Sequence, residues 1–236
     1  MGCLTAAGLG LASHANGAVV FSTDFEAGAP TEVGGAGAVE TTLNASDGGS
    51  GLSNDGFGNQ FLRNATGSLA APLPGGPGPT AATTVNLSGL SEHVALTVEF
   101  DVVFIDSWDG GTPPSGDLFE VIIDGTTVFS ETIVSNTGGS QSFSPTLSEI
   151  IFVGEEQFAG GTDFTESAYR LSFTVAHTAT DVTIEFTGAG GGTQGGSNES
   201  FGLDNISVST VIPEPSSVLL LMAGAGLLLK PRRNRR

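Results

Sequence analysis

Carboxylates are the main reactive groups in this chain, and they fall in two suggestive places. The denser is Ile105-Asp-Ser-Trp-Asp-Gly-Gly-Thr-Pro-Pro-Ser-Gly-Asp-Leu-Phe-Glu120, where Asp106, Asp109 and Asp117 surround the only tryptophan, Trp108. Hard cations such as Ca²⁺ take several oxygen ligands from carboxylates and carbonyls on flexible loops, and this segment could supply them. Its spacing is not that of an EF-hand, which needs acidic residues at alternate positions and a closing Glu. Aspartates in such a loop also serve as turn caps through side-chain-to-backbone bonds, and the sequence leaves both roles open. Trp108 likewise has two readings: a flat face on which a sugar ring stacks, or a plug for one end of a core.

The second place is split between the two ends of the chain. Glu26 lies in Ser22-Thr-Asp-Phe-Glu-Ala-Gly28, and Asp204 lies in Glu199-Ser-Phe-Gly-Leu-Asp-Asn-Ile-Ser-Val-Ser209. First and last strands of a sandwich commonly neighbour each other. Two carboxylates meeting there need a cation or hydrogen-bond donors to offset their repulsion. The alternative is that the two are independent surface residues.

Catalytic constellations are weak. His14 falls in the N-terminal segment, and His93 and His177 stand alone on strands or turns, where a satisfied or solvent-facing imidazole is the expectation. Zinc ligand sets, a Gly-x-Ser-x-Gly elbow and a phosphate loop are all missing from the sequence. A glycosidase needs two carboxylates at a fixed separation, and with 25 acidic residues some pair meets that by chance.

The elements that must position these groups read as strands. Ala95–Asp106 alternates, with Leu96, Val98, Phe100 and Val102 on one face and Thr97, Glu99 and Asp101 on the other. Leu118–Ile123 and Thr127–Ile133 flank Asp124-Gly125, a type I′ hairpin signal. Tyr169–His177, the Val182/Ile184/Phe186 run and a last strand at Ile206 and Val208 follow the same pattern. Earlier strands are expected at Val19–Phe25, Phe57–Leu62 and Thr83–Leu87. Glu149–Glu156 reads as either a strand or a short helix. Gly34–Gly51, Pro72–Pro79 and Gly188–Ser197 read as loops. About nine or ten strands with Gly, Ser and Asp in the connections predict an all-β, antiparallel, jelly-roll-like sandwich.

Charge narrows the partners. Of the 25 acidic residues only Glu214 lies in the C-terminal segment, and Arg63 and Arg170 are the only basic residues before Lys230. The body therefore carries a net charge of about −22, which disfavours nucleic acid and anionic membranes. Cations, neutral glycans or basic polymers suit it better. Acidity also serves solubility alone.

The ends point to export. Leu4–Ala12 is apolar and Ser13-His14-Ala15 is a small-x-small cleavage site, so residues 1–15 are expected to be a signal peptide, one lacking a basic leader. Cys3 falls inside it, which leaves residues 16–210, the expected sandwich domain, without cysteine and so without disulfides or thiol chemistry. Residues 211–236 run Pro213-Glu214-Pro215, then an apolar stretch expected to form a helix, then Lys230, Arg232, Arg233, Arg235 and Arg236. As a helix, the uncharged run 216–229 would reach about 21 Å, short of the roughly 30 Å bilayer core. The basic cluster would stay on the cytoplasmic face. The two prolines would hold the preceding strip extended and open to a protease.

This three-part tail resembles the PEP-CTERM sorting domain of Gram-negative bacteria. The resemblance implies a transient inner-membrane tail, an exosortase-like processing enzyme as partner, and delivery to the cell surface or extracellular matrix. The body, through Glu26 and Asp204 at its two ends, resembles galactose-binding-like, lectin-like jelly rolls. In those, such residues often share a structural calcium. The combined expectation is a non-catalytic exported sandwich that binds extracellular polysaccharide and calcium. A purely structural matrix or surface component is the alternative, and a secreted polysaccharide hydrolase or lyase is a further one.

Overall fold

The computed structural model describes residues 17–42, 52–65, 80–135, 139–155, 165–194, 196 and 199–212. The signal segment, the Pro72–Pro79 loop, Pro213-Glu214-Pro215, the apolar run and the basic cluster at Lys230–Arg236 lie outside the described residues. Among the described residues, no helix is long and apolar enough to cross a membrane.

Twelve strands are described: β1 (Gly17–Thr23), β2 (Val33–Gly35), β3 (Ala38–Thr41), β4 (Gln60–Asn64), β5 (Thr83–Leu87), β6 (Ala95–Asp106), β7 (Leu118–Ile123), β8 (Thr126–Thr132), β9 (Ile150–Glu155), β10 (Glu166–Ala176), β11 (Val182–Ala189) and β12 (Glu199–Val211). One sheet runs β3-β4-β12-β6-β10-β9, with β1 also on β12; the other runs β2-β5-β11-β7-β8. All pairings are antiparallel. Within this frame, β4-β12-β6-β10 faces β5-β11-β7-β8. Most successive strands cross from one sheet to the other; the β7–β8 hairpin and the β3–β4 and β9–β10 pairs stay within one. That is a jelly-roll-like path, in which Greek-key connections join a double sheet.

The sheets close over one apolar core. Leu96, Val98, Phe100, Val102 and Phe104 of β6 meet Phe119, Val121, Val182, Ile184 and Phe186 of the opposite sheet. Phe rings pack edge to face through the middle, as at Phe100–Phe186 (4.9 Å) and Phe104–Phe119 (5.2 Å). The Asp124-Gly125 turn has positive φ at both residues (47° and 73°), as a type I′ hairpin requires.

Three features refine the strand pattern expected from the sequence. β2 overlaps the start of the Gly34–Gly51 segment expected to be a loop and β3 falls inside it; strands of three and four residues are too short to show alternation. Within the segment Glu149–Glu156, Ile150–Glu155 is a strand, β9, paired with β10. The β6 face carrying Asp101 is not solvent-facing along its length. Val103 and Ile105 of that face pack with Leu52, Phe57, Phe61, Phe152 and Ala168 in a second apolar cluster. Phe57 thus belongs to a covering segment rather than to a strand. Gly202 permits the close approach: a Cβ there would collide with the Phe61 ring and Val103.

Candidate functional site

Glu26 and Asp204, some 180 residues apart in sequence, come within electrostatic reach of each other, and Asp24 and Asp101 act on Asp204 as well. β1 pairs with the second half of β12, from Thr23↔Ile206 to Gly17↔Val211. This places the Thr23–Gly28 turn beside Asp204. The turn is set by short-range bonds: Phe25 N–H donates to Thr23 Oγ1 (3.2 Å), Glu26 N–H to Asp24 Oδ1 (3.2 Å) and Gly28 N–H to the Phe25 carbonyl (2.8 Å). Buried Phe25, at φ 55°, anchors it in the core.

β12 carries a bulge just here. Asp204 is opposite Asp101, but Ser207 is already opposite Glu99, so one residue is extra. Asn205 absorbs it in the left-handed region (φ 50°), a conformation that Asn tolerates better than most residues. Its N–H donates to Asp204 Oδ1 (2.8 Å), and its Nδ2 donates to the Gly56 carbonyl and to Asp101 Oδ2 (2.9 Å each). Asp204 and Asp101 are directly opposite on neighbouring strands and almost wholly buried. Arg170, opposite Asp101 on the far side, binds it with a two-bond fork, Nε to Oδ1 and the terminal nitrogen to Oδ2, both 2.7 Å.

Each carboxylate therefore has a different condition. Asp101 is held by Arg170. Glu26 accepts the side-chain and backbone N–H groups of Asn59 and the backbone N–H of Gln60, and these donors hold its carboxyl below the usual range. Asp204 has one backbone donor against burial and three acidic neighbours. Burial first, then Asp101, Asp24 and Glu26, push it up to about 8. Beside it lies an open depression of about 260 Å³ lined by Ser22, Thr23, Asp24, Asn205, Ile206 and Ser207.

The Asp106–Asp117 segment is arranged differently. Asp117 Oδ2 accepts the Asp109 N–H (2.7 Å), which is the turn-capping role. Burial raises its carboxyl, with the neighbouring Asp109 charge adding to this. Asp106, at φ 75°, is raised by burial while the Arg63 charge lowers it. The structure thus couples Asp109 with Asp117, and Asp106 with Arg63. Among the described residues, no three His, Cys, Asp or Glu side chains converge as a ready metal cage.

Of the two readings of Trp108, the structure supports the core plug and not the glycan platform. It is 1 % exposed, its indole N–H donates to the Ser200 carbonyl (2.9 Å), and its ring meets Phe104 edge to face at 4.9 Å. No face is left for a sugar. His93 and His177, expected to stand alone, are bonded to each other.

No family model matches the chain, and no curated protein matches it. Solved structures do. The K1 cleaved adhesin domain of Lys-gingipain from Porphyromonas gingivalis W83 is similar at 12 % identity and TM-score 0.42, over 80 % of this chain and 96 % of that one. A family 35 carbohydrate-binding module from Clostridium thermocellum is similar at 13 % and 0.34, over 82 % and 98 %. The mannan-recognising carbohydrate-binding module TmCBM27 is similar at 16 % and 0.38, over 83 % and 99 %.

Proposed function

We propose that this chain is a non-catalytic, exported binding module whose acidic depression takes a calcium ion and, through it, the hydroxyls of a neutral glycan. The observation that carries this reading is the place of Asp204: almost wholly buried on the β12 bulge, directly opposite Asp101 and beside the depression that Asp24 lines, where burial and its acidic neighbours push its carboxyl up. A divalent cation is the ligand that relieves such a concentration of negative charge. The donors suit a hard cation. Asp24, Asp204, Ser22, Thr23 and Ser207 have side chains that offer oxygen only, the ligand type that Ca²⁺ prefers. Glu26 is bound to Asn59 and Gln60, and Asp101 to Arg170, so Asp204 and Asp24 would be the principal ligands. The Asp106, Asp109 and Asp117 segment is the less suited location, since Asp117 has Asp109 as its acidic neighbour where Asp204 has Asp101, Asp24 and Glu26.

Calcium wants about six to eight oxygens, more than these side chains give, and the remainder come from water or from ligand hydroxyls. An oxygen-rich, uncharged polymer fits that demand, and a body with a net charge of about −22 disfavours polyanions. The tail supports a surface address. Processing after Pro213-Glu214-Pro215 by an exosortase-like enzyme would remove the apolar run and five of the seven basic residues, releasing an acidic sandwich. The test is a glycan array probed with calcium and again with EDTA, alongside a reducing-sugar assay on the retained glycans. Calcium-dependent retention without sugar release is expected. Sugar release would establish an enzyme, and retention unaffected by EDTA would remove calcium from the account.

A further inference from the structure

Where β6 begins and β12 ends, four polar groups form an unbroken line. His93 is buried, and its ring is nearly parallel to that of His177 and meets it edge to edge, with centroids 5.0 Å apart and planes 15° apart. His93 Nδ1 lies 2.6 Å from the Ser91 carbonyl oxygen, and His93 Nε2 lies 2.7 Å from His177 Nδ1. His177 Nε2 lies 3.0 Å from Asp124 Oδ2. The line ties the β5–β6 loop, the end of β10 and the β7–β8 turn. Asp124 Oδ1 carries it on to β11 by accepting the Thr183 N–H (2.9 Å).

The protons in this line can be counted. A carbonyl at one end and a carboxylate at the other only accept, so three hydrogen bonds need three ring protons. Two neutral imidazoles have two protons between them, and one contact would then set lone pair against lone pair. Two imidazolium rings would set N–H against N–H at the centre. One neutral ring and one charged ring satisfy all three contacts.

We propose that His93 and His177 share a single positive charge, and that this proton closes a pH-set latch at that end of the sandwich. The acidic groups of the surrounding elements favour the charge. Asp124 faces the pair from the β7–β8 turn, and Glu92 precedes His93 in its own loop. Asp181, before β11, accepts the Gly89 N–H. β1 and the end of β12 contribute no charged residue there. The latch stands where the chain leaves the domain: His177 N–H donates to the Val94 carbonyl, and Val94 N–H to that of Val211. Alkaline pH removes the third proton and opens one contact. Above about pH 6.5, where a free imidazole is mostly neutral, the folded chain holds the proton that the unfolded one has lost, and stability falls as pH rises; below it the unfolded chain holds two imidazole protons to the fold's one, and stability falls towards acid as well.

Asp124→Asn separates the charge from the shape. Asn keeps the left-handed turn (φ 47°) and an oxygen for Thr183, and its amide can donate to His177 Nε2. Three contacts are then satisfied by two neutral rings. Melting is compared in a D204N background, so that Asp204 does not titrate in the same range. The D204N chain should lose several degrees of Tm between about pH 7 and pH 9, and adding D124N should remove most of that loss. Independently, ¹⁵N NMR of the full chain, with His14 identified through an H14Q variant, should count three protonated nitrogens across His93 and His177 at neutral pH. D124N should reduce the count to two. A count of two in the unsubstituted chain, or the same pH dependence of Tm with and without D124N, overturns the latch.

Discussion

Replacing Asp204 by Asn should stabilise the calcium-free protein in alkali and do nothing in acid. The ordinary value for this carboxyl is 3.8, and the fold raises it to about 8. In the unfolded chain Asp204 loses its proton near the lower value, and in the fold near the higher one. Between them the folded state binds the extra proton, so stability is present on the acid side and is lost as pH rises towards 8. At about 1.4 kcal/mol per pH unit the full difference would approach ~6 kcal/mol. Water in the adjoining open depression screens part of it, and about 2–3 kcal/mol is a fair expectation. For a domain of this size that corresponds to roughly 5–10 °C in Tm. The substituted side chain keeps an amide oxygen where Asp204 Oδ1 accepts the Asn205 N–H, so the bulge is kept. Differential scanning calorimetry in EDTA at about pH 4 and pH 9 reads the effect. A D204N chain that is less stable at the alkaline pH, or equally shifted at both, refutes the electrostatic account. With excess calcium at alkaline pH the wild type should gain and the variant should not.

Three further outcomes follow from named contacts. Trp108→Ala should cost about 3–5 kcal/mol, because it empties a core site and leaves the Ser200 carbonyl without its donor; denaturant melts check it. Arg170→Met should cost about 2 kcal/mol, less than a fully buried pair because the Arg170 side chain is 62 % exposed and screened by water; denaturant melts check this too. Alanine at Pro213, Glu214 and Pro215 should leave the chain in the membrane fraction of its host, where the wild type reaches the surface or medium; equal distribution of the two would remove the tail from the sorting account.

The strand pattern was legible because β5, β6 and β7 alternate within themselves, and their bounds match the reading residue for residue. The pairing of β1 with β12, which brings the turn carrying Glu26 towards Asp204, was legible because first and last strands of a sandwich are neighbours. The sequence also carries a signal that the β6 face bearing Asp101 is covered. Val102-Val103-Phe104-Ile105 is apolar at every position, which marks a strand covered on both faces. The Arg170 fork and the His93–His177 pair join residues 69 and 84 positions apart. They depend on cross-strand register and loop closure, which no local window contains. Trp108 was ambiguous for the same reason. Whether an indole plugs or protrudes depends on the Ser200 carbonyl supplied by a distant strand.

The most direct test of the central claim is a calorimetric titration of calcium into the protein at pH 7, repeated in two buffers of different ionisation enthalpy. Metal binding to a protonated ligand must release its proton. Saturable binding with close to one proton released per calcium is predicted, and D204N should lose both. Binding without proton release, or no binding at all, would contradict the claim.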